Sequence, residues 1–561
     1  MRNLLVMAAA VVILAACTSE AEGPDGDPPE EKAAVCDPEL AEALSRWADA
    51  GYSGSIAITS GGEFGCRAAF GMADAEAGVA NMPETVFAIG SVSKAFTAAA
   101  VFDLVDAGAL ALGDRAGDLL PGLGGPAAEA TVEQLLLHTG GLAGAHGTDH
   151  EPLGREEAVT ALGALETAFE PGTDYRYSNA GYSLLALLVD ELSESSYREY
   201  LAERILTVGD GRVGGFWDGE PAAPGPRAAG YEDGERAASD GGFDGPHWAL
   251  DGNGGLAMSA VDLAAWTAAL FGGEVVAPEA VEALTATGFD HGDGSTEVPG
   301  WIRFGRQRYG VPVYMASGGG GGTGHHAVSA WLPESDRSVA VTSNTDEITA
   351  AELLEAVGPA LAAGEPVPVP EGQDVEVDAA ELERLAGPYS LESGGTLTVA
   401  AEAGRLVVAA DGADAVAAMS EPGGGFSAEE VERHEEAVLA LLRGESEAGS
   451  AEREAVESEL GAIEGLDPVG TVVEDFELRT YVHVQGADGT RLAWYALDEH
   501  GGLAAAWLEA EPPEFSLVPV GDDEYRQGNL SGAGLGLRVR FEGDLMVVTG
   551  SEGTVEARRT T

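Results

Sequence analysis

The chain is short of lysine. Of its 29 basic residues only Lys32 and Lys94 are lysines; all the others are arginines. Basic residues of both kinds are outnumbered by 95 acidic ones, which leaves a formal charge of −66. That deficit argues against nucleic acid and anionic lipid as partners of the folded part, since both are bound through positive charge. It suits solubility in a salty exterior and identifies no substrate. Long apolar runs are also missing. The stretch Leu4 to Ala16 is too short to span a bilayer comfortably, and no later segment is a candidate. Cysteine is confined to Cys17, Cys36 and Cys66.

The short apolar run reads as an export signal, because it follows Arg2 and ends in small residues. Leu14-Ala15-Ala16-Cys17 looks like a bacterial lipobox. Residues 1–17 are therefore expected to be a lipoprotein signal, with lipid attached at Cys17 and the protein held on the outer face of the cell membrane. An ordinary signal peptide with an incidental Cys17 is the other reading. Residues 18–36 are rich in Glu, Asp, Gly and Pro without apolar period, as in a solvated tether. In an exported chain Cys36 and Cys66 read as one disulfide, with two free buried thiols as the alternative.

From residue 37 to 362 the pattern runs helix, hairpin, many helices, then strands. The helix carries Leu40, Leu44 and Trp47; the hairpin turns at Gly61-Gly62; the late strands are Ala327 to Leu332 and Ser338 to Ser343. This order predicts an α/β (α+β) domain, an antiparallel sheet flanked by helices, with its first and last strands side by side. A Pro-rich linker, 363–375, separates it from residues 376–561. There, hairpin patterns at Leu397 to Val408 and Leu537 to Val547 bracket a helical piece and further strands. That half is expected to be a β-rich accessory domain, barrel or sandwich, with a helical insertion and no catalytic constellation.

Chemistry concentrates at Gly90-Ser91-Val92-Ser93-Lys94. Apolar residues recur at helical spacing from Val92 onward, so a helix begins beside Ser91 and places Lys94 one turn away on the same face. A serine hydroxyl becomes a nucleophile when a base takes its proton, and an amine of lowered pKa can do so. Where only charge matters this chain uses arginine, which cannot deprotonate, so a lysine at this place points to acid/base work. Tyr177 and Asn179 lie in a turn before another helix. A phenol can relay a proton, and an amide can hold both a lysine and a substrate carbonyl. The glycine run Gly318 to Gly322 would let backbone N–H groups approach a substrate closely.

The order Ser91-x-x-Lys94, Tyr177-Ser-Asn179, then a Gly-rich strand edge resembles the serine β-lactamase and penicillin-binding superfamily. Leu135-Leu-Leu-His-Thr-Gly-Gly-Leu142 and Gly254-Gly-Leu256 narrow the likeness to the branch of class C β-lactamases, D-Ala-D-Ala carboxypeptidases, D-aminopeptidases and related esterases. The resemblance covers about residues 37 to 362. It implies an acyl-enzyme on Ser91, with Lys94 and Tyr177 moving the proton and Asn179 positioning. It implies no cofactor and no metal, and a small-molecule or peptide substrate. The third motif, Lys-Thr-Gly or His-x-Gly in relatives, is best matched by Ser317-Gly318-Gly319, which lacks the cation; the oxyanion N–H then counts to Gly320. Small neutral esters or amides are accordingly expected over carboxylate-bearing substrates. His325 and His326 follow on the chain. His138 reads as structural, and His146 and His150 have metal-like spacing without a partner. The alternative function is a catalytically weak or inactive binding or sensor lipoprotein on the same fold.

Overall fold

The computed structural model describes residues 36–560 apart from 194, 210, 233, 238–243, 293, 320–321, 371–376, 403–404, 421–427, 446, 475–476, 488, 498–501, 509, 522, 528–536 and 551–552. Cys17 and the tether up to residue 35 lie outside these described residues, as does Gly320.

The chain enters through α1 (Pro38–Asp49), which starts where Asp37 caps two backbone N–H groups and Pro38 sets the first turn. A hairpin follows, β1 (Gly54–Ser60) and β2 (Glu63–Phe70), then the short strand β3 (Val86–Ala88). Helices α2 (Ser93–Asp106), α3 (Val132–Leu136) and α4 (Asn179–Leu192) come next. The short strands β4 (Gly215–Phe216) and β5 (Leu256–Ser259) precede α5 (Ala260–Phe271). The strands β6 (Phe289–Asp290), β7 (Ser295–Val298), β8 (Trp301–Phe304), β9 (Val313–Gly319), β10 (His326–Leu332) and β11 (Arg337–Ser343) then lead to α6 (Ala350–Ala363).

Eight of these strands form one sheet in the order β6-β7-β8-β9-β10-β11-β1-β2. Gly54 of β1 lies opposite Ser343 of β11, so the first strand is neighbour to the last, as the element order predicts. The sheet is buried on both faces. Ile56, Ile58, Val328, Ala330, Val339 and Val341 pack towards α1 and α6. Ala57, Ala316, Ala327 and Ala340 face the larger core built on α2, α4 and α5. The alanines let α5 approach closely, so that Ser338 Oγ donates to Ala264 O at 2.8 Å, and α2 is buried on nearly every side from Ser93 to Phe102. A separate sheet, β4-β5-β3, delivers the segment before the nucleophile.

Beyond the Pro-rich segment, where Trp47 Nε1 donates to Pro368 O at 2.9 Å, lies the β-rich half. Its strands are β12 (Gly387–Leu391), β13 (Thr396–Glu402), β14 (Arg405–Asp411), β15 (Ile463–Glu474), β16 (Glu477–Gly486), β17 (Gly489–Leu497), β18 (Leu503–Trp507), β19 (Glu514–Gly521), β20 (Glu524–Gln527), β21 (Arg538–Glu542), β22 (Leu545–Gly550) and β23 (Gly553–Arg559). Strands β12-β13-β14-β19-β20-β21-β22-β23 close into a barrel, with Tyr389 opposite Arg559 at the seam. Between β14 and β19 the chain inserts α7 (Ala428–Arg443), α8 (Glu447–Leu460) and the four-stranded sheet β15-β16-β17-β18. The insertion is thus a helix pair with its own four-stranded sheet, which joins the helical piece and the further strands expected from the sequence into one unit. His434 of α7 pins it, sharing a 2.8 Å hydrogen bond with Thr480 Oγ1 and accepting from Leu497 N at 3.2 Å.

Candidate active site

Strand β3 is continued by Ile89, whose N–H donates to Leu256 O at 3.0 Å, and the chain then turns at Gly90 with φ +48°. A Cβ on Gly90 would stand 2.8 Å from Gly319 N, so both conformation and space require glycine there. Ser91 sits in the 3-10 turn Gly90–Val92 that feeds α2. One turn on, Lys94 is 3% exposed. Its Nζ reaches Ser91 Oγ at 2.9 Å, Asn179 Oδ1 at 2.8 Å and the carbonyl of Asn253 at 2.9 Å. Those contacts match the three donors of an ammonium; a neutral amine held there can instead accept the Ser91 proton. Asn253 had no signal in the sequence, since it contributes a backbone oxygen.

Tyr177 OH lies 2.8 Å from Ser91 Oγ, so the serine oxygen has the amine on one side and the phenol on the other. The Lys94 ammonium also stands over the Tyr177 ring, 4.8 Å from its centre. The tyrosine is half exposed, and its position is set from behind by His138. That histidine follows α3 with φ +57°, accepts from Ser178 N through Nδ1 at 3.0 Å, and lays its ring on Tyr177 at 4.5 Å between centroids. Its carbonyl takes the N–H of Arg176 at 2.9 Å. Burial, helped by the charge of Lys94, holds the His138 pKa well below the ordinary imidazole value. The ring therefore stays an acceptor at Nδ1. Its Nε2 faces the buried Glu297 at 3.8 Å, and Glu297 accepts from Tyr175 OH at 3.1 Å. His138 is structural, as read from the sequence, and what it structures is the tyrosine.

The third-motif strand is β9. A Cβ on Gly318 would come within 2.3 Å of Ser91 N, so this glycine is the one pressed against the nucleophile. Side chains alternate along a strand. Ala316 therefore shares the catalytic face with Gly318, and it packs into the core around α2. Ser317 and Gly319 belong to the other face, and Ser317 is exposed. The match that sets Ser317 in the cation's place is thereby corrected by one residue. Position 316 is the one facing the site, and alanine supplies no cation either. Gly319 follows Gly318 on this strand; its N approaches Gly90, and it lines the same cleft as Ser91.

Neither following histidine supplies that cation to the catalytic face. His326 is paired opposite Gly319 on β10, with its ring against that glycine. His325 is 1% exposed between Phe87 and Trp217, and burial pushes its pKa down to about 3. His146 and His150 have separate partners: His146 Nε2 contacts Trp248 O at 3.0 Å, and His150 Nδ1 lies 3.6 Å from Asp218 Oδ2. Cys36 and Cys66 are joined in a disulfide, tying the start of α1 to β2.

A cleft of about 250 Å³ opens from Ser91 past Asn179 and Asn253 to Trp217, Asp218, His247 and His325. Arg198 also lines it, but its guanidinium is committed. It holds Asp251 Oδ1 at 2.8 Å through NH2, both Asp251 oxygens at 3.1 Å through Nε, and the Asp218 carbonyl at 2.7 Å through NH1. Trp217 and Asp218 lie in a span, residues 208–248, that is rich in Gly, Pro and Asp.

The chain is similar to several penicillin-binding proteins. It is 29% identical over 271 residues to the putative penicillin-binding protein PbpX of Bacillus subtilis (strain 168), covering 48% of this chain and 63% of that protein. Over 139 residues it is 37% identical to penicillin-binding protein 4 of Amycolatopsis lactamdurans, 23% of this chain and 36% of that one. The match thus spans less than two thirds of these curated relatives. In fold it is similar to the octameric penicillin-binding protein homologue from Pyrococcus abyssi, with a TM-score of 0.52 at 18% identity over 92% of this chain and 99% of that one. The Beta-lactamase family model matches residues 45–363, more than half of the chain, and the protein belongs to that family.

Proposed function

We propose that this protein is a serine hydrolase that cleaves a small ester or amide through an acyl-enzyme on Ser91. The observation that carries the reading is the double contact on Ser91 Oγ, from Lys94 Nζ at 2.9 Å and Tyr177 OH at 2.8 Å. In this mechanism Lys94 and Tyr177 take the serine proton as Oγ attacks the carbonyl. The N–H groups of Ser91 and Gly319 stabilise the oxyanion, and the proton passes through Tyr177 to the leaving group. Water then attacks the acyl-enzyme, releasing the acid and restoring Ser91. With Ala316 on the catalytic face of β9, a substrate carboxylate finds no cation there, which favours esters and amides without one. The intact Ser91, Lys94 and Tyr177 constellation speaks against the inactive-sensor alternative. Export and lipid anchoring at Cys17 are part of the same proposal, checked by metabolic labelling of wild type and Cys17→Ala with a lipid analogue.

The test is a fluorophosphonate probe together with a chromogenic short-chain ester. Wild type is expected to be labelled and to turn over the ester, and Ser91→Ala to do neither. Labelling of the alanine variant, or an unlabelled and inactive wild type, would overturn the assignment.

A further inference from the structure

His138 stands behind the relay tyrosine, and its own hydrogen bonds depend on which ring nitrogen carries the proton. A neutral imidazole has one N–H donor and one acceptor. Nδ1 is committed as the acceptor, because Ser178 N donates to it at 3.0 Å. Ser178 lies between Tyr177 and Asn179, so this bond holds the backbone that aims the phenol at Ser91 and the amide at Lys94. A proton on Nδ1 would set two N–H groups against each other. It belongs on Nε2, in a residue that is 3% exposed.

A buried N–H needs an acceptor, and Nε2 faces the carboxylate of Glu297, with Oε1 at 3.8 Å. That is longer than a hydrogen bond. The contact is electrostatic, and a negative charge on that side favours the N–H over the lone pair. Glu297 is itself 4% exposed, and a buried carboxylate is costly without partners. Its other oxygen, Oε2, accepts from Tyr175 OH at 3.1 Å and lies 3.6 Å from His291 Nε2. Burial raises its pKa above the ordinary carboxylate value, while His291, Tyr175 and the charge of Lys94 pull it down. The carboxylate thus holds the relay segment twice, directly at Tyr175 and through His138 at Ser178.

Its strand is fixed relative to the nucleophile. Between β7 and β8 the chain turns at Gly300, with φ +77°, where a Cβ would stand 2.6 Å from Ala95 Cα and 2.9 Å from Lys94 O. Only glycine lets this turn press on the first turn of α2. Gly300 N donates to Tyr182 OH at 2.8 Å, and Tyr182 OH donates to Leu136 O at 2.9 Å, two residues before His138. The turn after Glu297, helix α4 and the end of α3 are thereby joined around the imidazole.

We propose that Glu297 is a positioning residue for the proton relay. It holds His138 as the Nε2–H tautomer and Tyr175 in place, and through them the Tyr177 hydroxyl on Ser91. The relay it serves is that of the acyl-transfer reading, whereas the tautomer is a property of the folded chain and is read without any chemistry.

The experiment is a double-mutant cycle on the full chain. Its readouts are kcat/KM for p-nitrophenyl acetate and the rate of fluorophosphonate labelling. Glu297→Gln keeps the shape of the side chain and removes its charge. It is expected to lower both rates roughly ten- to a hundredfold, the scale of a displaced proton-transfer group. Tyr177→Phe alone is expected to lose more. Adding Glu297→Gln to it should then cost less than about twofold, since Glu297 acts on Ser91 through Tyr177. A Glu297→Gln enzyme close to wild type, or a loss that adds in full to that of Tyr177→Phe, would overturn the proposal; full additivity is what a merely structural role gives. Tyr175→Phe keeps the ring and loses one hydrogen bond, which guards against a Glu297 variant that does not fold. It is expected to lose about three- to tenfold, with the same non-additivity.

Nitrogen-15 NMR of the histidines should show His138 neutral with its proton on Nε2. In Glu297→Gln the amide NH2 can turn to Nε2, so the His138 resonances should move. A wild-type ring protonated on Nδ1, or His138 resonances unmoved in the variant, would also overturn the proposal. Should Ser91→Ala and Tyr177→Phe leave both rates unchanged, the acyl-transfer reading falls. Should they abolish the rates while Glu297→Gln does nothing, only the role of Glu297 falls.

Discussion

The two halves of the molecule bury different things. Around the cleft the first half buries Lys94, His138, Asp218, Asp251 and Glu297, each at 6% exposure or less. The barrel of the second half is filled by Tyr389, Leu397, Val408, Leu517, Phe541 and Met546. Its buried polar residues among those described are the Thr471–Thr480 pair, hydrogen-bonded at 2.7 Å, and Arg526 with Gln527. Arg526 reaches across to the carbonyl of Ala50 at 3.4 Å. Burying charge is costly unless it is paired, so its accumulation in one half separates a region shaped for chemistry from one shaped for packing.

The largest expected effect strikes the first half alone. Lys94→Arg keeps the charge and loses the titratable amine, so kcat/KM for an ester should fall about 10²- to 10⁴-fold, as far as in Lys94→Ala. Circular dichroism should show the fold retained. If arginine restored most of the rate, the buried cation would be an anchor and the contrast between the halves would be one of electrostatics only.

Removing the disulfide tests how far the first half depends on its covalent tie. The bridge joins residues 30 apart in sequence, and loop-closure entropy assigns it roughly 3–4 kcal/mol. A Cys36→Ser/Cys66→Ser variant should lose that much in a denaturant melt of the first half. An unchanged midpoint would mean that the denatured chain is already constrained without the bridge.

The smallest effect should come from the junction. Arg526→Ala removes the hydrogen bond to Ala50 and should cost about 1 kcal/mol of stability, with ester kcat/KM within twofold of wild type. A larger kinetic change would show that the barrel reaches the site, and the division into a chemical and a packing half would fail.

The legible parts of the site were local ones. Ser91 and Lys94 are one helical turn apart, and the helix was visible as a repeat of apolar residues, so their meeting needed no tertiary information. Tyr177 and Asn179 were found through their order along the chain. Asn253 was missed because its contribution is a backbone oxygen, which carries no side-chain identity. Asp218 was missed because it follows a two-residue strand in a stretch dense with Gly, Pro and Asp, where neither period has room to show.

By itself the sequence determined the helix–hairpin–helix–strand order, the pairing of first and last strands, and the β character of the second half. It also set one lysine apart from all the arginines. These follow from repeats of two and 3.6 residues and from residue chemistry, which act over a few positions. The tertiary structure decided which face of β9 meets the nucleophile. A strand shows two faces whose roles exchange with a one-residue shift, and in a run of five glycines no side chain marks the register. Only the close packing of Gly318 on Ser91 N selected it, and with it Ala316 in place of Ser317.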